Sequence, residues 1–226
     1  MEVVGEGLFR GQGMKFVVVP PSVVKIGADA FRDCACLWKL EFSGESRLEW
    51  IGPRAFYNSG IGEFAAPPSL RVIRELAFAR CACLTRVELN RGLRVLGSET
   101  GKEEEDSGAF MGSAIQSVVV PSTVRRIGGY CFQNCQSLAS VTLSRGTEVI
   151  GRRSFRYCAF REVVIPRTVT EIEEYVFMHK TKFVRLSFEP GSQLRHASVQ
   201  DFPFPTVHLV EENAPLAALA VWSQRY

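Results

Sequence analysis
The chain has 226 residues, 46% apolar and 23% charged, a composition that excludes a disordered or fibrous protein. Its formal net charge of +3 is too small to indicate a nucleic-acid partner without a clustered basic face. No run of about eighteen apolar residues exists to cross a bilayer, and seven cysteines, an odd number, fit a reducing compartment better than a fully paired secreted framework.

The first stretch, MEVVGEGLFRGQGMK, carries acids and glycines where a secretory leader has bases and then an apolar run, so the expected location is intracellular and cytoplasmic. GEGLFRGQG has the wrong glycine spacing for a dinucleotide loop, and no strand is expected before it. Most of the chain is a repeat. IGADAF (Ile26 to Phe31), IGPRAF (Ile51 to Phe56), IRELAF (Ile73 to Phe78), IGGYCF (Ile127 to Phe132), IGRRSF (Ile150 to Phe155) and IEEYVF (Ile172 to Phe177) share one signature. Weaker copies end at Phe9, Phe110 and Phe202, giving nine phenylalanine rungs. Spacings run 22, 25, 22, 32, 22, 23, 22 and 25, and the 32 contains an acidic insertion over 98–106. A period of 20 to 29 residues is that of leucine-rich-repeat solenoids.

Two kinds of repeat alternate. After Phe9, Phe56, Phe110 and Phe155 the strand begins five residues on and runs into Pro20, Pro67, Pro121 or Pro166; after Phe31, Phe78, Phe132 and Phe177 it begins six on and meets no proline. The unit is therefore a pair of repeats, with prolines at strand ends where a missing N–H breaks no ladder. A second short extended stretch comes after each corner, and each phenylalanine falls on a short turn or single-turn helix opposite the strand. The prediction is a β-rich α/β solenoid, one domain over 1–226, with a parallel β-sheet on one face. A C-terminal capping helix over 203–226, begun near Asn213 and Pro215, offers Leu216, Leu219 and Trp222 to the last rung.

Sites of chemistry are scarce. Cys34 and Cys36 pair with Cys81 and Cys83 as two Cys-x-Cys motifs, but the Phe56 rung lies between them. Two strand spacings of about 4.8 Å separate the pairs by about 10 Å, more than one metal with bonds of about 2.3 Å can span. Cys34, Cys81, Cys135 and Cys158 are instead expected as small plugs in a ladder with Ser59 and Ser113; only Cys135 and Cys158 occupy adjacent rungs, within reach of a bridge. GSETGKEEED is one residue short of a phosphate loop and has Glu103 where a Ser or Thr is needed. His179, His196 and His208 occupy unrelated repeat positions, and no nucleophile signature occurs. No catalytic residue, cofactor or metal is assigned.

The strand face is the candidate surface. Its third positions read Phe16, Lys39, Glu63, Arg86, Ser117, Ser140, Glu162 and Arg185; its fifth positions read Val18, Glu41, Ala65, Glu88, Val119, Thr142, Val164 and Ser187. The alternating Lys39, Glu63 and Arg86 suggest cross-strand ion pairs. Lys39, Glu41, Glu63, Arg86, Glu88, Val119, Glu162, Val164 and Arg185 are the residues expected to meet a protein partner. Secondary candidates are the acidic insertion, the N-terminal edge, and the cluster Arg145, Arg152, Arg153, Arg156 and Arg161 facing an acidic partner.

VVPPSVVKIGADAFRDCACLWKLEF, VPSTVRRIGGYCFQNCQSLASVTL and IPRTVTEIEEYVF resemble BspA-type leucine-rich repeats, from about Val4 to Val210. The resemblance implies a repeat scaffold whose role is protein binding, either as a subunit of a larger assembly or, alternatively, as a cell-surface adhesin that binds host or matrix proteins.

Overall fold
The computed structural model describes residues 2–98, 107–178 and 185–197. Its strands, in chain order, are β1 (Glu2–Val4), β2 (Phe16–Val19), β3 (Val23–Ile26), β4 (Lys39–Phe42), β5 (Trp50–Ile51), β6 (Glu63–Ala65), β7 (Val72–Ile73), β8 (Arg86–Glu88), β9 (Val95–Leu96), β10 (Ser117–Val120), β11 (Arg126–Ile127), β12 (Ser140–Leu143), β13 (Val149–Ile150), β14 (Glu162–Ile165), β15 (Glu171–Ile172), β16 (Arg185–Phe188) and β17 (His196–Ala197). The odd-numbered strands form one unbroken parallel sheet, the back; the even-numbered strands form the front. β1 precedes the glycines of GEGLFRGQG, against the expectation of no strand there. The second short stretch of each repeat is thus the continuous element, while the longer front strand is the interrupted one.

No helix occurs among the described residues, so the α/β expectation is corrected to a β-solenoid joined by turns. The reason is local. Residues two before a rung phenylalanine (Asp29, Arg54, Leu76, Tyr130, Arg153, Tyr175) and two after it (Asp33, Asn58, Arg80, Asn134, Tyr157) have φ between 53° and 61°. A left-handed residue on each side forbids a right-handed helical turn and instead makes the third position of two successive β-turns. At Phe56 these turns close through Ala55 N–H to the Gly52 carbonyl, 3.2 Å, and Ser59 N–H to the Phe56 carbonyl, 3.1 Å. The capping helix over 203–226, Phe202, His179, His208 and most of the insertion lie outside the described residues.

Stacked turns lock rung to rung. Arg54, Phe56 and Asn58 each donate their N–H to the next rung, to the carbonyls of Glu75, Ala77 and Ala79 at 3.0, 2.8 and 2.9 Å. The phenylalanine rings keep this register as a spine, with centroid separations of 5.1 to 5.5 Å from Phe9 to Phe155 and 6.1 Å at Phe177. Those separations lie within the favourable range for aromatic pairs. Beside the spine runs the predicted Cys/Ser column. Cys34, Cys81, Cys135 and Cys158 each donate a thiol hydrogen to the carbonyl of the preceding rung's phenylalanine, at 3.0 to 3.2 Å. Ser59 and Ser113 continue the column, each with its Oγ 3.5 Å from the next cysteine's Sγ. Cys36 and Cys83 face solvent, and all seven cysteines are free thiols.

The front strands pair as the two-repeat unit predicts. β2–β4, β10–β12 and β14–β16 each register over four residues and β6–β8 over three. Between units the ladder fails: β8 meets β10 at one residue pair, Arg86 with Ser117, and β4–β6 and β12–β14 do not pair. Within a unit, Ser43, Ser144 and Glu189 close the ladder by donating N–H to Val19, Val120 and Ile165. The register of each unit puts Pro67, Pro121 and Pro166 at the matching place of the next strand. A proline has no N–H to give back to the preceding unit. Seams therefore fall where a proline-ended strand comes after a proline-free one.

Candidate interaction surface
The first seam opens the front between β4 and β6. Gly62 donates its N–H to the Trp38 carbonyl at 3.1 Å, and beyond that bond the two strands no longer pair. A cleft of about 550 Å³ lies over the gap, with Leu40, Phe42 and Phe64 among its apolar walls and Glu41, Glu63, Arg86 and Glu88 at its rim. Phe42 and Phe64 meet edge to face at 6.4 Å, and Phe64 packs on the spine ring of Phe78 at 4.6 Å. Leu40 and Phe42, which strand alternation assigns to the core, are only half-buried because no strand closes over them.

Charges around the cleft pair along strands and not across them. Lys39 Nζ lies 2.5 Å from Glu41 Oε1, and Arg86 Nη2 lies 2.5 Å from Glu88 Oε1. This corrects the cross-strand ladder expected for Lys39, Glu63 and Arg86: although residues two apart on one face are about 6.6 Å apart and strand neighbours about 4.8 Å, the long Lys39 and Arg86 side chains reach along the strand, and each cation takes the carboxylate of its own strand. Glu63, the register partner of Arg86, makes no ion pair within 4 Å among the described residues. The hydrogen bond that Lys39 donates to Glu41 and the charge of Glu41, with a smaller contribution from Glu63, hold the Lys39 ammonium pKa above its ordinary value.

Four predicted partner residues, Glu41, Glu63, Arg86 and Glu88, thus line one cleft, and a fifth, Lys39, is ion-paired to Glu41 beside it. Val119, Glu162, Val164 and Arg185 lie farther along the same face, with Val119 and Val164 more than half exposed and Glu162 in register with Arg185. Sequence reasoning left three exposed apolar side chains off that list: Phe16 at 64%, Trp38 at 56% and Val18 at 48%. Phe16 and Val18 were legible as outward strand positions. Trp38 sits one residue before its strand, in an alternation slot that reads as a loop, with its ring centroid 5.7 Å from Lys39 Nζ.

The other candidates separate. Arg145 pairs with Glu189 at 2.9 Å, and Arg152 lies 3.6 Å from Glu174. Arg153 stacks between Tyr130 and Tyr175, 5.6 and 5.3 Å from their centroids, while Arg156 stacks on Tyr157 at 4.4 Å. Four of the five arginines are thus engaged by acidic or aromatic neighbours, while Arg161 is exposed. At the N-terminal edge Phe9 stacks on Phe31 and is half-buried. His196 lies exposed on β17.

The BspA type leucine-rich repeat region matches this chain in six copies, over residues 2–102 and 103–211. No curated protein matches it. A leucine-rich repeat protein from Bacteroides ovatus superposes with a TM-score of 0.64 at 22% identity, over 88% of this chain and 56% of its own. A leucine-rich cell surface protein from Faecalibacterium prausnitzii gives 0.45 at 16% identity, over 85% and 65%, and the leucine-rich repeat protein of T. pallidum gives 0.44 at 25%, over 87% and 72%. The chain spans a little over half the length of the first of these structures. With the rung signature matched along nearly its whole length, the chain belongs to the BspA-type leucine-rich repeat family.

Proposed function
We propose that the chain is a non-catalytic protein-binding module, a scaffold or subunit of a larger intracellular assembly, that docks its partner on the front face across the first seam. The observation that carries this reading is the convergence of Glu41, Glu63, Arg86 and Glu88 on one cleft with apolar walls, with Lys39 paired to Glu41 beside it. Exposed apolar side chains support it, since among the described residues Phe16, Val18, Trp38, Val119 and Val164, five of the seven large ones, belong to the front strands or abut them, the other two being Val3 on β1 and Leu8 at the N-terminal edge.

A photo-crosslinker placed in turn at Val18, Ala65 and Lys25 tests the proposal in native extract. Val18 and Ala65 are front positions, and Lys25 is exposed on the back. The expected result is one partner band from the front positions, lost when Glu41, Glu63 and Glu88 are together changed to alanine in a protein that stays folded. Equal labelling from Lys25, or labelling unaffected by the triple change, sinks the proposal.

A further inference from the structure
We infer that the first seam is a slot for a single cationic side chain, the lysine or arginine of an extended partner segment; the inference rests on the front face being the docking surface. Sign and size both point to it. Across β4, β6 and β8 the third positions read Lys39, Glu63 and Arg86, plus, minus, plus; the fifth positions read Glu41, Ala65 and Glu88, minus, neutral, minus. Charge alternates along every strand and between neighbours at all places but one. That place is Ala65, exposed on the middle strand, in register with Glu88 on one side and flanked across the seam by Glu41 on the other.

Alternation puts a positive charge over Ala65, and the chain supplies none. Lys39 and Arg86 are each held by the glutamate of their own strand, at 2.5 Å. A methyl side chain there leaves room that a longer residue would fill, and the cleft beside it has the phenyl rings of Phe42 and Phe64 for walls. Glu41, Glu63 and Glu88 all line the cleft, and Glu63 is the one carboxylate of the three without an ion pair among the described residues, so a cation entering over Ala65 meets net negative charge. Lysine and arginine suit such a slot because their aliphatic stems pack on apolar walls while the charged head stays at the rim. An acidic side chain would add to a rim whose five charged groups, Lys39, Glu41, Glu63, Arg86 and Glu88, already sum to −1, with Glu63 left without an ion pair among the described residues.

The test uses NMR of the whole chain with labelled alanine methyls and three peptides, Gly-Val-X-Val-Gly, with X as arginine, lysine or citrulline. Citrulline keeps the shape of arginine and removes its charge. The expected outcome is a shift of the Ala65 methyl with arginine and lysine, at least tenfold weaker with citrulline. Ala65→Lys places the missing charge within the protein and should abolish the response, whereas Ala65→Ser, small and neutral, should keep it. Equal binding of citrulline and arginine, or undiminished binding to Ala65→Lys read from neighbouring methyls, overturns the inference. Failure of the docking reading is separable: if Ala65→Lys leaves front crosslinks to the native partner intact, only the cationic slot is wrong; if the unaltered front gives no crosslinks, the docking face itself is wrong.

Discussion

The two faces of this solenoid are built from the same repeats and behave differently. The back sheet runs unbroken from β1 to β17 through strands as short as two residues, whereas the front, with strands of three or four, divides into three sheets. Strand length is therefore not what keeps rungs in register. The stacked turns and the phenylalanine spine hold the back and core together, and the front is left free to open where proline removes a donor. A surface that need not carry the fold can carry recognition.

The largest expected effect comes from breaking the rigid side of that comparison. Phe78 is fully buried, sandwiched at 5.1 and 5.2 Å between Phe56 and Phe110 and supporting Phe64 beneath the seam. Phe78→Ala should cost about 3–5 kcal/mol, measured by urea unfolding, and should split or broaden the transition because a solenoid transmits stability only through neighbouring rungs. A cost near that of a surface change would mean the spine is not what fixes the register.

Alkaline pH attacks the same column. Burial pushes the thiol pKa of Cys81 and of Cys135 up from 9.0 to about 11, and raises that of Cys158 also. With the folded pKa above the unfolded one, the unfolded chain releases protons first, so this stability is fully present below pH 9 and is lost as pH rises through 11. Each of the two thiols should lose on the order of 2–3 kcal/mol across that window. Cys81→Ala should flatten the fall in an alkaline unfolding series; an unchanged slope would show that these thiols are not the groups titrating.

A smaller change sharpens the account of the seam. Pro67→Ser restores an N–H at the place where Ser43, Ser144 and Glu189 close their ladders. The regained hydrogen bond is worth about 0.5–1.5 kcal/mol, and loss of the proline ring gives back about 0.4–1 kcal/mol of unfolded-chain entropy, so net stability should move by less than about 1 kcal/mol. Hydrogen exchange is the decisive reading: the amide at position 67 should be protected if the ladder closes onto Phe42. An amide that exchanges freely would assign the seam to something other than the proline.

Much of this architecture was legible in sequence because repetition multiplies weak signals. One Ile-Gly-x-x-Ala-Phe means little, but its recurrence fixed the rungs, and the alternating prolines gave the two-repeat unit that the front pairing obeys. The turns were harder to foresee. Gly11, Asn58 and Asn134 announce left-handed backbone, but Leu76, Arg54 and Tyr175 adopt it with side chains that ordinarily avoid it, so composition at single rungs could not exclude a helical turn. Ion-pair partners were not legible at all. Lys39 has carboxylates two residues along its own strand and across the seam, and which of them it takes depends on the seam being open, a fact of packing and not of spacing.

The smallest effect on stability should therefore come from the residues most exposed at the cleft. Arg86 and Glu88 are 70% and 57% exposed, and an ion pair in such a setting contributes about 0–1 kcal/mol. Arg86→Ala should leave unfolding within about 1 kcal/mol of the parent chain, with the difference shrinking further as salt screens it. Its effect on binding should run the other way. Removing Arg86 frees Glu88 from its partner, adds net negative charge at the rim, and should strengthen the hold on an arginine peptide while fold stability hardly moves. Peptide titrations in low and high salt, beside unfolding of the same variant, separate the two. If stability and binding fall together, the front is part of the scaffold, and the division of labour between the faces fails.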